Sequence, residues 1–417
     1  MDKPLKEKVI LVSLKKGVDP NEVFNKDKVN GLIGSGHDLK FERLHRIEPV
    51  VEKAKKSPTY VFTAKPASNE EIFEQALQQM PEEEKRLYRI YQVKVNGKVD
   101  INCLLEELAK EQGVVFAEEN FLHSLSTTTP NDPYYAELYG LKKINCEKAW
   151  EITQGAGIIV AVLDTGVDYN HPDLSANMWR DASGNFGYDF SNGEADPADY
   201  NGHGTHVAGT IAATGNNSIG VIGVAPKAKI MAVKIFPNAY TNVISQAIKY
   251  AVDNGARVLN NSWGPRVRRP ASPTLESAID YANAKGAITV FAAGNNDDDV
   301  QFYSPANYDK TIAVAAVDAN DQRAISSNYG ELVNVAAPGV EILSLAANSA
   351  YLKMSGTSMA APHVSGLIAL MLSNNKRLSF QDVRAILQHT AEPISTDRPI
   401  GSGRINAFAS VREEVMV

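Results

Sequence analysis

Five apolar runs, alternating with amphipathic segments, occupy the chain from residue 155 onward and restrict the folds that it can adopt. The runs are residues 157–163, 229–236, 257–261, 287–293 and 311–317. Each run is apolar at successive positions, so both faces of a strand formed there would be buried. Segments 242–253 and 275–285 have helical periodicity and end before Gly255 and Gly286, as helix C-termini favour. This pattern predicts an α/β domain with a mainly parallel sheet, whose reactive groups gather at the carboxyl ends of the strands.

The first 126 residues have a different pattern, which is typical of a small α+β domain. We predict strands at residues 9–14, 88–95 and 114–117 and helices at residues 69–80 and 101–112. Residues 126–133 are polar and turn-prone and indicate a linker, whereas residues 36–57 have no clear pattern. The expected domains are therefore residues 1–126 and 127–417.

Composition excludes several classes of protein. The 417 residues carry a formal charge of −7, which argues against a nucleic-acid binder with a basic face. No run approaches the ~20 apolar residues of a membrane span, and residues 1–12 are too short and charged for a signal peptide. The two cysteines, Cys103 and Cys146, exclude a disulfide-built scaffold and a zinc site with several thiolates.

Three segments carry candidate chemistry. Asp164 ends an apolar run in VLDTG, His203 begins a small-residue helix in NGHGTHVAG, and Ser358 lies in GTSMAAPH before an apolar helix. Taken singly, Asp164 is typical of a turn and Ser358 of a helix N-cap. His203 with His206 is equally consistent with a metal pair or a capped helix start.

Together these three residues supply the groups that a nucleophilic hydrolase requires. A hydroxyl is a weak nucleophile until a base takes its proton, and the base must be held in one tautomer. A metal hydrolase is disfavoured, because His203 and His206 lack the glutamate of a His-Glu-x-x-His helix. The order Asp164, His203, Ser358 is the order found in subtilisin.

On these motifs, residues 130–411 resemble a subtilisin-like serine protease of the subtilase family, peptidase family S8. The resemblance implies a three-layer subtilisin-like α/β fold and hydrolysis of polypeptide substrates. It also implies that Asp164 orients His203, that His203 is the general base and then the acid, and that Ser358 attacks the scissile carbonyl. Asn295, in the matching segment AAGN, would donate to the oxyanion together with the Ser358 N–H. His206 would be structural.

The resemblance also predicts where substrate binds. An extended peptide would add as a strand beside Ser262, Trp263 and Gly264, and Tyr303 would lie at the base of the pocket and shorten it. Residues 238–242 lack the glycine-rich run expected of the opposite edge. Residues 266–269, RVRR, either favour acidic substrate residues or form a solvated loop.

Calcium is the cofactor that the resemblance implies. The matching ligands are oxygens, which suit a hard cation, although loops rich in Asp and Asn often bind nothing. Asp189, Asp196 and Asp199 are a further, separate candidate cluster. The ligands predicted for the main site are the side chains of Asp132, Asp173 and Asn217 and the backbone oxygens of Gly215, Ile219 and Val221.

The N-terminal domain resembles the family's inhibitory propeptide, a ferredoxin-like fold, and residues 114–120 resemble its end. It would chaperone and inhibit the catalytic domain, with its last segment in the cleft, until self-cleavage within residues 121–129, Leu125 being a candidate for the residue before the cut. We expect a monomer, and the family is largely secreted. The rival interpretations are a non-catalytic binding module and an N-terminal domain that inhibits proteases in trans.

Overall fold

The structure is a computed structural model that describes residues 8–24, 39–56, 68–95, 101–120 and 129–413. The chain divides into two units, Met1–Ser124 and Leu125–Val417. Within the described residues, no helix has the length and apolar character needed to cross a membrane.

The N-terminal unit is built on a four-stranded antiparallel sheet. Its strands are β1 (Lys8–Leu14), β2 (Leu39–Arg43), β3 (Ile90–Val95) and β4 (Val114–Glu119), in the order β2-β3-β1-β4. Alternate residues such as Ile10 and Val12 on β1, and Val93 and Val95 on β3, are buried. This alternation is expected of a sheet that packs one face against a core.

Helices occur on both sides of β3 in sequence. In the described residues they are α1 (Pro20–Val23), α2 (Glu48–Lys55), α3 (Asn69–Gln78), α4 (Glu82–Leu87) and α5 (Ile101–Lys110). Helices α3 and α5 lie where the sequence predicts helices, and β2 and α2 fall in residues 36–57, for which no pattern was found. The strand order and directions agree with a ferredoxin-like sheet, but α2, α3 and α4 separate β2 from β3, which that motif joins directly.

The C-terminal unit contains a seven-stranded parallel sheet in the order β11-β10-β9-β8-β5-β7-β6. The five predicted strands are confirmed as β5, β7, β8, β9 and β10. Strands β6 and β11 were missed: β6 has only three residues, and β11, VAAP, ends in a proline, which disfavours a strand within a sheet. The strands are β5 (Ile159–Asp164), β6 (Gly187–Asp189), β7 (Lys229–Lys234), β8 (Val258–Asn261), β9 (Ile288–Ala292), β10 (Ile312–Val317) and β11 (Val335–Pro338), followed by the hairpin β12 (Ile342–Ala346) and β13 (Ala350–Met354).

Helices cover both faces of this sheet, which makes three layers. On β5, Val160 and Val162 belong to one apolar cluster, and Ala161 and Leu163 belong to another. The first cluster includes residues of α8 and α11, and the second includes residues of α9 and α10. The helices are α6 (Tyr139–Lys143), α7 (Cys146–Trp150), α8 (His203–Ala212), α9 (Thr241–Asp253), α10 (Pro273–Ala284), α11 (Thr357–Asn374), α12 (Phe380–His389) and α13 (Ala407–Arg412).

His206 fixes helix α8 to the β12–β13 hairpin. Its Nε2 lies 2.9 Å from the carbonyl oxygen of Ile342 and 3.0 Å from that of Leu352, so one imidazole contacts both strands. Burial lowers the pKa of His206 to about 4, and the ring is therefore neutral at neutral pH. This contact agrees with the structural role predicted for His206. It fixes the first turn of α8, which begins at His203.

Candidate active site

Asp164 lies at the carboxyl end of β5, near the centre of the sheet, and its side chain is 1% exposed. Oδ1 accepts hydrogen bonds from the Thr165 backbone N–H and from Nδ1 of His203, each at 2.7 Å. Among the described residues, its second oxygen, Oδ2, has no hydrogen-bond partner. A buried carboxylate with so few donors interacts strongly with the imidazole beside it.

His203 is the first residue of α8, and Gly202 before it has a φ of 94°, a conformation that favours glycine. The bond to Asp164 makes Nδ1 the donor and leaves Nε2 as the free proton acceptor. Burial lowers the pKa of His203, but the charge and hydrogen bond of Asp164, helped by the charge of Asp199, outweigh burial and raise it above the usual 6.5. The ring therefore has the tautomer and the basicity of a general base.

Ser358 is the second residue of α11, and a hydrogen-bonded chain ties it to the end of β8. Ser365 Oγ donates to Asn260 Oδ1 at 2.8 Å, and Asn260 Nδ2 donates to Ser262 Oγ at 2.9 Å. Ser262 Oγ donates to the Ser358 carbonyl at 2.8 Å, and Ser358 Oγ donates back to the Ser262 carbonyl at 3.0 Å. The structure thus pairs the Ser358 hydroxyl with Ser262, and among the described residues no hydrogen bond joins it to His203.

Asn295 follows β9 and lies beside the start of α11. Its Oδ1 accepts from the Thr357 N–H at 2.9 Å and from Thr357 Oγ1 at 3.1 Å. Because the oxygen of the amide is held in this way, Nδ2 keeps its hydrogens for an incoming acceptor. A Cβ atom on Gly356 would lie 3.4 Å from Asn295 Nδ2, so the glycine leaves the space beside this donor open.

A cavity of about 240 Å³ lies beside Ser358 and is lined by two of the four predicted substrate residues. Trp263 and Gly264 line it, and Ser262 contacts Ser358 directly. Tyr303 is not brought into its wall: its hydroxyl donates to Asp298 Oδ2 at 3.0 Å, a carboxylate that Arg268 also binds through two nitrogens. The residues that line the cavity are Trp263, Gly264, Pro265, Arg266, Ala292, Gly294, Asn295, Asn296, Thr357 and Ser358.

Three lining residues, Pro265, Asn296 and Thr357, were not predicted, although each lies within or next to a predicted motif. Arg266 belongs to the RVRR segment, for which contact with substrate was one of two alternatives, and it lines the cavity. Tyr303 was assigned to the pocket by resemblance, whereas its phenol donates a hydrogen bond to Asp298 that the sequence does not reveal.

Comparison with known proteins identifies the family. The model of the subtilase family, Peptidase S8, matches residues 155–403. The chain belongs to the subtilase family. Thermitase of Thermoactinomyces vulgaris is 42% identical to this subtilase over 289 residues, which are 68% of this chain and 99% of thermitase. A thermophilic serine proteinase of Bacillus sp. (strain AK1) is 42% identical over 75% of this chain and 76% of its own length.

Solved structures give the same result for the fold. A protease from Pseudoalteromonas arctica superimposes with a TM-score of 0.63 and 32% identity, over 68% of this chain and 99% of that protein. The predicted subtilisin-like fold of the C-terminal unit is therefore confirmed. This subtilase is a serine endopeptidase that acts on polypeptide substrates.

Among the predicted calcium ligands of this subtilase, the carboxylates of Asp132 and Asp173 are buried, whereas Ile219 is 38% exposed. Asp173 Oδ1 accepts from Asn217 Nδ2 at 2.7 Å and Oδ2 accepts from the Val221 N–H at 2.8 Å. Asp132 Oδ2 accepts from the Asn216 N–H at 2.9 Å, while its buried Oδ1 has no partner in the described part of the chain. Burial raises the pKa of both carboxyl groups, and that of Asp173 is raised further by Asp132. An orphaned carboxylate oxygen near a second carboxylate and an amide fits an oxygen-ligated cation.

The further candidate cluster, Asp189, Asp196 and Asp199, does not have this character. Lys234 Nζ lies 3.3 Å from Asp189 Oδ2, so an ammonium group already neutralises that carboxylate. Asp199 is saturated by donors from Thr165 and the start of α8. These contacts argue against the cation predicted at this cluster.

The raised pKa of His203 predicts the pH dependence of peptide hydrolysis. The protonated imidazole cannot accept a proton, so kcat/KM should rise with pH through a pKa above 6.5. Asp164→Asn removes the charge that raises this pKa and stops holding the required tautomer, so kcat should fall by about 10⁴-fold and the acid limb should move to lower pH. Initial rates on a chromogenic peptide from pH 4 to 10 test both statements. A rate that is constant down to pH 4 would contradict them.

Proposed function

We propose that this subtilase hydrolyses peptide bonds through Asp164, His203 and Ser358. The observation that carries the proposal is the 2.7 Å hydrogen bond from His203 Nδ1 to the buried Asp164, because it leaves Nε2 as a base at the carboxyl end of the sheet. Ser358 Oγ attacks the scissile carbonyl as its proton passes to Nε2, and the imidazolium is stabilised by Asp164. His203 then protonates the leaving amine, and water, activated by the same base, releases the acyl group.

The oxyanion that forms in each step needs donors at a fixed place. Asn295 Nδ2 and the backbone N–H of Ser358 serve this role in the proposal, since Asn295 Oδ1 is already held by Thr357. Ser358 lies in the first turn of α11, where backbone N–H groups are unpaired and the helix dipole favours negative charge.

In this proposal, substrate binding replaces the hydrogen bond between the Ser358 hydroxyl and the Ser262 carbonyl. To reach His203, Oγ must leave the Ser262 carbonyl, and that carbonyl then becomes an acceptor for a peptide N–H. An extended substrate beside Ser262–Gly264 supplies such a group, as in strand addition. The side chain before the scissile bond enters the cavity lined by Trp263, Asn296 and Arg266. Tyr303 lies outside this wall, so we do not assign it a role in the pocket.

Calcium is the structural cofactor in this proposal. The carboxylates of Asp132 and Asp173 are both buried, and neither forms a salt bridge with a Lys or Arg of the described residues. A divalent cation held by Asp132, Asp173, Asn217 and the carbonyls of Gly215, Ile219 and Val221 would neutralise them and fix this loop.

Calcium removal should therefore lower the thermal stability of the protein. Ligand binding at one hundred times its Kd stabilises a fold by about 2.7 kcal/mol, so a chelator should lower Tm by several degrees. Asp173→Asn should lower Tm in calcium and abolish the effect of the chelator. The matched control is Asp181→Asn, which alters a partly exposed carboxylate with local donors from Ser183 and Asn185 and should keep the effect. Equal melting curves of the parent protein with calcium and with chelator would refute a structural calcium site.

The N-terminal unit completes the proposal as a propeptide of residues 1–126. It would inhibit and help fold the catalytic unit, and it would be removed by self-cleavage within residues 121–129. The residues from 121 to 128, including Leu125, lie outside the described part of the chain. The four-stranded sheet of this unit supports the proposal through its resemblance to ferredoxin-like folds. A monomeric, secreted enzyme remains the prediction from the family.

Self-processing gives a test of the whole proposal. The parent chain should lose a fragment of about 125 residues and gain casein hydrolysis, whereas Ser358→Ala should stay whole and lose more than about 10⁴-fold in rate. Intact mass and casein assays, with and without calcium, measure both. The control is Ser373→Ala. Ser373 lies near the other end of the same helix, where its hydroxyl donates to the Ala156 carbonyl. If the parent and Ser358→Ala both stay whole and inactive, the non-catalytic binding module becomes the better explanation.

A further inference from the structure

The carboxylate of Asp199 is buried and fully engaged, although the proposed mechanism does not use it. It lies four positions before His203 and is 7% exposed. Oδ1 accepts from Thr165 Oγ1 at 2.9 Å, from the Asn201 N–H at 2.9 Å and from the Gly202 N–H at 3.0 Å. Oδ2 accepts from the Thr205 N–H at 3.0 Å and from Thr205 Oγ1 at 2.7 Å.

These bonds join the two segments that carry the proposed base and its orienting acid. Thr165 directly follows Asp164, and its N–H donates to Asp164 Oδ1. Thr165 Oγ1 donates to Asp199 and accepts from the Gly204 N–H at 2.9 Å. The hydroxyl is therefore bonded both to the loop that precedes His203 and to the helix residue that follows it. The end of β5 and the start of α8 are therefore linked through one hydroxyl and one carboxylate.

The backbone geometry around His203 explains why the hydrogen bonds of Asp199 and Thr165 are needed. Gly202 has a left-handed φ of 94°, and a Cβ on Gly204 would lie 2.1 Å from the Gly166 carbonyl oxygen. The turn at Gly202 therefore precedes His203, and Gly204, in the first turn of α8, packs directly against the segment that follows β5. Asp199 also accepts from a first-turn N–H of α8, where an anion is favoured by the helix dipole.

Several other charged or titratable groups lie around Asp199, and most of them have partners other than Asp199. On β7, Lys234 donates to the Ala198 carbonyl and pairs with Asp189 of β6. On α8, His206 is neutral and contacts the hairpin. The remaining neighbours are Asp164 on β5, Asp168, whose N–H donates to Thr205 Oγ1, and Tyr200, whose ring lies under the Lys234 ammonium.

We propose that Asp199 is a positioning residue: it holds the backbone of His203 against the end of β5, so that the imidazole stays aligned with Asp164 while Ser358 reacts. Asp199 touches neither substrate nor reacting atoms. The inference rests on the proposed function, since it assigns Asp199 a place in the same catalytic site. Its negative charge also contributes to the raised pKa of His203.

A positioning role differs from a purely structural one in what its loss changes. A structural carboxylate would affect the fraction of folded protein and Tm, but each folded molecule would keep its kcat and its acid limb. Loss of alignment would lower kcat per active site with KM unchanged, because substrate binds to other residues. Misplacement of a catalytic group by about 1 Å costs about 10²-fold in rate.

The test uses the processed enzyme and three variants. Asp199→Asn keeps one acceptor oxygen but loses the charge and the acceptor for Thr205, and Thr165→Val removes the hydroxyl link while leaving the carboxylate. The matched control is Asp196→Asn, a nearby carboxylate that accepts from the Ala198 N–H and from Tyr169 OH. Active-site titration, kcat and KM on a chromogenic peptide, and the pH profile are measured for each.

We expect Asp199→Asn to lose at least about tenfold, and up to about 10²-fold, in kcat with KM within twofold, and its acid limb to move to lower pH. Thr165→Val should lose kcat in the same way without the shift that comes from charge, and Asp196→Asn should match the parent. Parent-like kcat and pH profile in both Asp199→Asn and Thr165→Val would overturn the proposal, even if Tm falls.

A second measurement separates this inference from the proposed function. NMR titration of His203 in the full-length Ser358→Ala chain, with and without Asp199→Asn, reports the imidazole directly and needs no turnover. An unchanged His203 titration and unchanged Nδ1–H signal in the Asp199→Asn chain would also overturn the proposal. An inactive parent enzyme with a His203 signal that still depends on Asp199 would mean that the proposed function fails while the positioning role holds.

Discussion

The hydrogen bond between Asp164 and His203 is the interaction on which the proposed site depends. Asp164 is buried at the end of a central strand, and in the described part of the chain it receives two donors, of which His203 is one. Because the carboxylate has little solvent to stabilise its charge, its attraction for the imidazole proton on Nδ1 is strong. That attraction outweighs the effect of burial on His203 and keeps Nε2 free to accept a proton.

The fold supplies this contact by bringing three segments to one edge of the sheet. Strand β5 delivers Asp164, α8 begins with His203, and α11 begins with Thr357 and Ser358. Helix α8 is held on its far side by His206 and at its start by Asp199, while α11 is tied to the end of β8 through Asn260 and Ser262. Each reactive group thus sits at the end of an element whose backbone is fixed by buried hydrogen bonds.

Much of this arrangement could be predicted from the sequence, because its signals are local. Burial on both faces makes β5 and β7 to β10 apolar throughout, and burial on one face gives α9 and α10 their helical periodicity. The motifs around Asp164, His203 and Ser358 are each contiguous in the sequence. The polar ties could not be predicted. Tyr303 donates to Asp298, Asp199 accepts from Thr165, and Asp189 pairs with Lys234. Only the fold brings these partners together.

The central claim is that Ser358 is a nucleophile made reactive by His203. Covalent labelling by a serine-directed fluorophosphonate, followed by peptide mass mapping, tests it most directly. The account predicts one adduct per molecule, on Ser358, formed in parallel with the loss of proteolysis and absent from the His203→Ala variant. Labelling of another residue in step with inactivation, or equal labelling of Ser358 without His203, would contradict it.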